Sequence, residues 1–356
     1  MKIVVILPRW VGDACMATPL LRGLRAHFGP AARITGVMQP ILADLLAGTP
    51  WLDESIFYDR HKGSVELGFH AVARAVRARE PDVALVLPGS LSAAALAVRS
   101  GARRRVGFVG NWRRLLLTDP LVLPREHGRP RHLPPPLAYL RIGAAIGLPP
   151  QSPRLELATT SADERRADQV LAAAFPGRDP GGRDPLVVLN DNSSNGTARA
   201  WGVDNHAALA RSLVGRIPGA CVLVHCGPGD REPARAIVAR AADPAVAGLG
   251  DTPDLPLTLS KAIYRRAALA ISSDSGPRHI AAAFGVPTVA LIGPTDPVLG
   301  RSDEERCIEV RKALVCSPCR AAECPLGHHD CMRTITVDEV VRAALEALDR
   351  GRRMIA

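Results

Sequence analysis

Short apolar runs alternate with amphipathic stretches from the first residues onward. Ile3–Leu7 is apolar and mostly β-branched, and it is bounded by Lys2 and Arg9. A run that short and that uniform predicts a strand buried on both faces, as in a parallel sheet. Leu20, Leu21 and Leu24 then recur at helical spacing and predict a helix from Thr18 to Phe28. Arg33–Met38, Val83–Leu87 and Val106–Val109 are further strand candidates, with the Ala-rich stretch Ala93–Val98 behind the second of them. Strands alternating with helices predict an α/β domain built on a parallel sheet.

The pattern breaks in the middle and then restarts. Pro124–Pro136, Gly147–Pro153 and Pro176–Pro185 are rich in Pro, Gly or Arg and predict loops and a linker. Between them Ser161–Phe175 predicts a helix, with Ser161 as N-cap and Glu164 at the capping-box position. A second series follows, with strands at Leu186–Leu189, Ala220–His225, Leu269–Ser272 and Thr288–Ile292. Its helices are expected at Asp204–Ile217, Glu232–Ala242, Pro277–Phe284 and Val337–Asp349. The expected architecture is two doubly wound α/β domains, residues 1–158 and 159–356. They would face a cleft at the carboxyl ends of their strands, where open α/β sheets bind ligands.

Charge narrows the function only partly. Among 356 residues, 45 Lys and Arg oppose 35 Asp and Glu, a net charge of +10. That balance suits phosphorylated substrates, nucleic acid or an anionic membrane surface. Aromatic residues make up only 4%, which leaves few stacking platforms for single-stranded nucleic acid. No apolar run approaches the roughly 18 residues of a membrane span, and the opening run lacks a signal-peptide cleavage site. The expected location is therefore cytoplasmic, where thiols stay reduced.

Four stretches carry candidate chemistry. Arg9-Trp10-Val11-Gly12-Asp13 follows the first strand, and Asp13 is either a helix cap or a carboxylate base. Ser272–His279 runs from a buried strand into a helix start, with Pro277 at its first position, and forms a ready anion seat. Arg278 and His279 stand by as further donors. Asn190–Arg199, followed by Trp201, is too polar and too long for a minimal turn, and it suits phosphate and ribose recognition. Cys316, Cys319, Cys324 and Cys331 cluster in one Pro/Gly-containing segment, where four thiols in a reducing compartment favour a metal over disulfides. Cys221, in an apolar strand, is expected in the core.

Together these stretches resemble the ADP-heptose:lipopolysaccharide heptosyltransferases, inverting glycosyltransferases of the GT-B fold. The opening RWVGDACMATPLLRGLR is similar to that family's start, and the resemblance implies Asp13 as the catalytic base. The block SDSGPRHIAAAFGVPTVALIGPTDP is the most specific match, and implies Asp274, Ser275, Gly276 and His279 around the donor's sugar and diphosphate. By position, Ser194 and Asn195 would face the phosphates, Arg199 would take the place of the family's usual Lys, and Asp230 would lie near sugar or ribose. The loop NDNSSNGTARAW departs from the family's Pro-Gly-Ala start.

The resemblance implies transfer of heptose from ADP-heptose to the lipopolysaccharide inner core by a cytoplasmic enzyme in peripheral contact with the inner membrane. Arg103–Arg105, Arg113, Arg114 and Arg125–Arg131 are candidate contacts for the anionic acceptor, and the final helix is expected to return to the first domain. No catalytic metal is expected. The segment 316–331 looks like one that binds iron in a related group, so a structural Zn or Fe is expected there. The alternatives are a relative using another nucleotide sugar or a protein acceptor, and a basic nucleic-acid-binding protein with a cysteine knuckle. No nucleic-acid partner is expected on the first reading.

Overall fold

The structure, a computed structural model, describes residues 1–59, 65–126, 129–191, 196–301 and 306–353. The chain divides into two compact units, Met1–Ala158 with Arg301–Glu304, and Thr159–Gly300 with Glu305–Ala356.

Unit 1 runs β1 (Lys2–Ile6), α1 (Val11–Met16), α2 (Thr18–Phe28), β2 (Arg33–Met38), α3 (Ile41–Leu46), β3 (Glu54–Phe57), α4 (Phe69–Arg77), β4 (Val83–Val86) and α5 (Leu91–Arg99). It continues through β5 (Arg104–Phe108), β6 (Asp119–Leu121), a short antiparallel pair β7 (Arg125–Glu126) and β8 (Arg129–Pro130), and α6 (Pro135–Ala144). The six longer-range strands form one parallel sheet in the order β3-β2-β1-β4-β5-β6. Ile3–Ile6 and all of β4 are buried, which is what a parallel strand between two helical layers requires. On α2 the Leu20, Leu21 and Leu24 side chains are fully buried, each worth about 1.5–3 kcal/mol against exposure.

Unit 2 repeats the plan. Its elements are α7 (Ser161–Ala174), β9 (Leu186–Asn190), α8 (Val203–Arg216), β10 (Cys221–Val224), α9 (Arg231–Ala241), β11 (Val246–Gly248), α10 (Leu257–Arg266), β12 (Leu269–Ser273) and α11 (Gly276–Ala283). β13 (Thr288–Ile292), β14 (Cys307–Arg311), α12 (Asp330–Arg333) and α13 (Val337–Arg353) complete it. The sheet order is β11-β10-β9-β12-β13-β14, again all parallel. Both orders are the doubly wound 3-2-1-4-5-6 pattern, which reverses direction between its first and fourth strands.

Two expectations shift. The capping box of α7 sits one residue earlier than predicted. Thr160 is the N-cap and Asp163 its reciprocal partner, with bonds of 2.8 and 3.3 Å. Glu164 is thereby released to pair with Arg265 and Arg266. α13 packs on α8 and on β12–β14 of its own unit. α6 starts at Pro135, inside the last two residues of the stretch read as loop, and its buried Pro136, Tyr139, Ile142 and Gly143 lie on one face. Among the described residues no helix is long and apolar enough to cross a membrane.

Candidate functional site

In unit 1 the strand order reverses between β1 and β4, and the loops leaving these strands open a cavity of about 430 Å³. Arg9, Trp10 and Asp13 line it from the segment after β1, Gln39 from the end of β2, Ser90 from the end of β4, and Tyr139 from α6. Asp13 is not a cap. Trp10 holds the extended N-cap position of α1, and Asp13 lies inside the first helical turn. The Asp13 side chain lines a cavity large enough for a sugar. Burial, and then the Asp13 carboxylate, push the Tyr139 phenol well above its ordinary pKa, so it stays protonated. Tyr139 was not anticipated. The apolar spacing in Pro135–Ala144 was the available signal, hidden by the Pro-Pro-Pro run before it.

In unit 2 the matching reversal lies between β9 and β12. β12 ends at Ser273, Ser275 stands extended as the N-cap of α11, and Gly276 opens the helix, one residue before the expected Pro277. The carbonyl of Asp274 accepts from the Arg199 Nη1 at 2.8 Å, and its carboxylate from the Arg278 Nη1 at 2.8 Å. Burial opposes ionisation of Asp274, but Arg278, the Thr295 hydroxyl, His279 and Arg199 outweigh it and hold the carboxyl below its usual range.

Arg278 was expected as a further donor near the anion seat. It is instead 0% exposed, and its second nitrogen donates to the Gly300 carbonyl at 2.7 Å. Breaking this buried pair from either side costs about 3–5 kcal/mol. Gly300 itself was not anticipated. A Cβ there would stand 2.8 Å from the Asp274 Oδ1, so only glycine lets that turn close over the pair.

The structure thus brings Asp274, Ser275, Gly276, His279 and Arg199 to one edge of the second sheet. Asp230 stands at the N-cap of α9, after the neighbouring strand β10. Ser194 and Asn195 lie outside the described residues. Asp191 organises the end of the same loop, accepting from the Trp201 and Gly202 amides at 3.2 and 3.4 Å. A buried polar chain braces the end of β9. Asn190 Nδ2 donates to the His225 carbonyl at 3.1 Å and lies 3.2 Å from its Nδ1, and His225 Nε2 is 2.8 Å from the Ser260 Oγ. Burial pushes the His225 pKa down to about 4, so the ring is neutral and can accept at one nitrogen while donating at the other.

Several candidate acceptor arginines have structural partners. Arg113 is buried and donates to the Pro88 and Gly110 carbonyls, Arg104 pairs with Asp119, and Arg105 donates to the Leu116 and Ala102 carbonyls. They therefore hold loops rather than present charge.

All eight cysteines are free thiols, with Cys221 in the core as expected. The Cys331 thiol is raised by burial and then by the charges of Cys319, Cys316 and Cys324, so the four are neighbours. The Cys324 sulfur accepts the backbone N–H of His329 at 3.4 Å, and amides from Leu326 to His329 favour its thiolate. As a donor set they suit a thiophilic ion. Yet among the described residues no three His, Cys, Asp or Glu side chains stand as metal ligands. The segment is not remote from the donor loop. Ala198 donates to the Ala322 carbonyl at 3.1 Å, and a Cβ on Gly196 would lie 2.1 Å from that same oxygen.

Two Rossmann-like units, each with its polar block where the strand order reverses, make the GT-B architecture. The chain belongs to glycosyltransferase family 9 (heptosyltransferase), whose sequence profile it matches over residues 69–329. It is 28% identical to lipopolysaccharide heptosyltransferase 2 of Salmonella typhimurium, over 96% of this chain and 97% of that one. Its fold matches a glycosyl transferase family 9 structure from Veillonella parvula, with a TM-score of 0.80 at 24% identity, covering 98% and 97% of the two chains. It also matches E. coli ADP-heptose lps heptosyltransferase II, with a TM-score of 0.75 at 23% identity over 99% and 100%.

Proposed function

We propose that the chain transfers heptose from ADP-L-glycero-D-manno-heptose to the lipopolysaccharide inner core, with inversion at the anomeric carbon. Family membership with near-full-length similarity to a heptosyltransferase 2 carries this reading. Residues 1–158 take the acceptor and residues 159–356 the donor. An acceptor hydroxyl attacks C1 of the heptose, and the Asp13 carboxylate takes its proton. The C1–O bond to the diphosphate breaks, and ADP leaves with the bonding electrons. The charge growing on the leaving phosphate meets the Ser275 and Gly276 amides at the start of α11, with Arg199 and His279 beside them. Asp230, Ser194 and Asn195 complete the donor contacts. Arg199 makes a rigid fork where Lys would be a point charge.

The enzyme works at the cytoplasmic face of the inner membrane, in peripheral contact with it. Cys316, Cys319, Cys324 and Cys331 would hold one structural Zn or Fe, and no step of the transfer runs through it. The altered loop 190–199 favours a second reading, a relative that uses another nucleotide sugar, because Asp191 there serves the backbone. Incubation with ADP-heptose and truncated lipid acceptors tests both. Mass spectrometry should show an acceptor heavier by one heptose, and NMR of the product an anomeric configuration inverted relative to the donor. Product formed only from a UDP- or GDP-sugar would select the second reading.

A further inference from the structure

We propose that the turn Asn111–Leu115, between β5 and β6, docks the chain on an anionic lipid bilayer. Trp112 and Leu115 enter the interface and Arg114 between them faces the headgroups. The proposal rests on the reading above, in which the acceptor is lipid-linked.

An ordinary surface turn hides its apolar side chains and shows its polar ones. This turn is inside out. Trp112 is 89% exposed and Leu115 88%, while Arg113 between them is 5% exposed. Arg113 donates to the Pro88 carbonyl at 2.7 Å and to the Gly110 carbonyl at 3.1 Å. Asn111 Nδ2 donates to the Gly89 carbonyl at 3.0 Å. Both Asn111 (φ 48°) and Trp112 (φ 63°) adopt the left-handed conformation, which Asn tolerates and Trp rarely takes. The polar residues thus hold a strained backbone that turns the indole outward.

The turn is bolted to the acceptor edge. Pro88 and Gly89, which receive its hydrogen bonds, also line the Asp13 cavity. Leu91, at the start of α5, and Val122, after β6, are exposed on the same carboxyl edge of the sheet. Arg114, between Trp112 and Leu115, is exposed, and the whole chain carries a net charge of +10. Two protruding apolar side chains are too few for a stable protein interface, which buries about 1,200–2,000 Å². They suit a bilayer, where an interfacial Trp and a neighbouring cation act together.

Flotation with vesicles of phosphatidylethanolamine and phosphatidylglycerol, or of phosphatidylcholine alone, tests this. The wild-type chain should bind the anionic vesicles and release them at high salt. Combining Trp112→Ser with Leu115→Ser should lower that partitioning by at least about tenfold. It should leave the melting temperature, and turnover of a water-soluble deacylated acceptor, unchanged, while slowing turnover of a vesicle-embedded acceptor. Brominated acyl chains should quench wild-type indole emission, and Trp112→Phe should remove most of that quenching. Partitioning of the double variant equal to wild type, or no wild-type binding to anionic vesicles, would overturn the proposal. If the wild type fails to turn over the soluble acceptor, the transfer reading fails, and the vesicle result still decides the role of the turn.

Discussion

Asp13 and His225 show how one residue's surroundings set its chemistry. Asp13 sits in the first turn of α1 against a cavity, beside a phenol that stays protonated. Asp13→Asn keeps shape and hydrogen bonding but removes the base, so kcat should fall roughly 100-fold or more with donor affinity little changed. Steady-state kinetics with varied donor reads this, and near wild-type turnover would remove Asp13 from the role. His225 behaves in the opposite sense to a paired surface histidine. Its ordinary pKa of 6.5 is pushed down to about 4 by burial, so the unfolded chain binds the proton more readily. The stability held by the neutral ring is complete above pH 6.5 and drains away as pH falls towards 4, by up to about 3 kcal/mol. Urea unfolding at pH 7.5 and pH 5 should show that loss in wild type and a smaller one in His225→Gln. Equal losses would place the effect elsewhere.

At the scale of elements, the donor seat depends on a turn as much as on a helix start. α11 aims its amides, but Asp274 is fixed by Arg278, and Arg278 is fixed by the Gly300 carbonyl at the end of the turn after β13. Gly300→Ala would press a methyl against the Asp274 carboxylate. The stabilisation that ADP confers on melting should therefore drop by at least half, while the unliganded melting temperature falls only a few degrees, as about 1–2 kcal/mol of strain implies. A variant stabilised by ADP as strongly as wild type would show that the turn does not position the seat. The capping box of α7 carries a related lesson. Thr160/Asp163 and Ser161/Glu164 both fit the sequence pattern, and the pairing of Glu164 with Arg265 and Arg266 decides between them.

Across the whole chain, the same strand order occurs twice, and each time the polar block falls where the order reverses. The cysteine segment joins this plan through the donor loop, by way of Ala322 against Gly196 and Ala198. If one thiolate-bound metal orders that segment, protein purified without a His-tag should carry about one Zn or Fe per chain. Mild chelation should then lower the melting temperature and weaken the effect of ADP, yet leave some turnover. Less than about a tenth of an equivalent of metal, with Cys316→Ser as stable as wild type, would exclude the site.

Periodicity by itself determined the alternation of strands and helices, because a buried parallel strand must be apolar throughout and a covering helix only on one face. Thr18–Phe28, Arg33–Met38 and Thr288–Ile292 were legible to the residue for that reason. So were the places of Asp13 after β1 and of the Asp274–His279 block after β12, since short loops at strand ends leave few positions for such residues. β3, β11 and β14 were not legible, being short or half-polar edge strands whose pairing comes from their neighbours. Nor could the sequence tell which arginines are free, because Arg113 and Arg278 differ from Arg114 only in the carbonyls and carboxylate that folding brings to them. Long-range hydrogen bonding decided that, and with it the burial of two expected ligand contacts and the outward turn of Trp112.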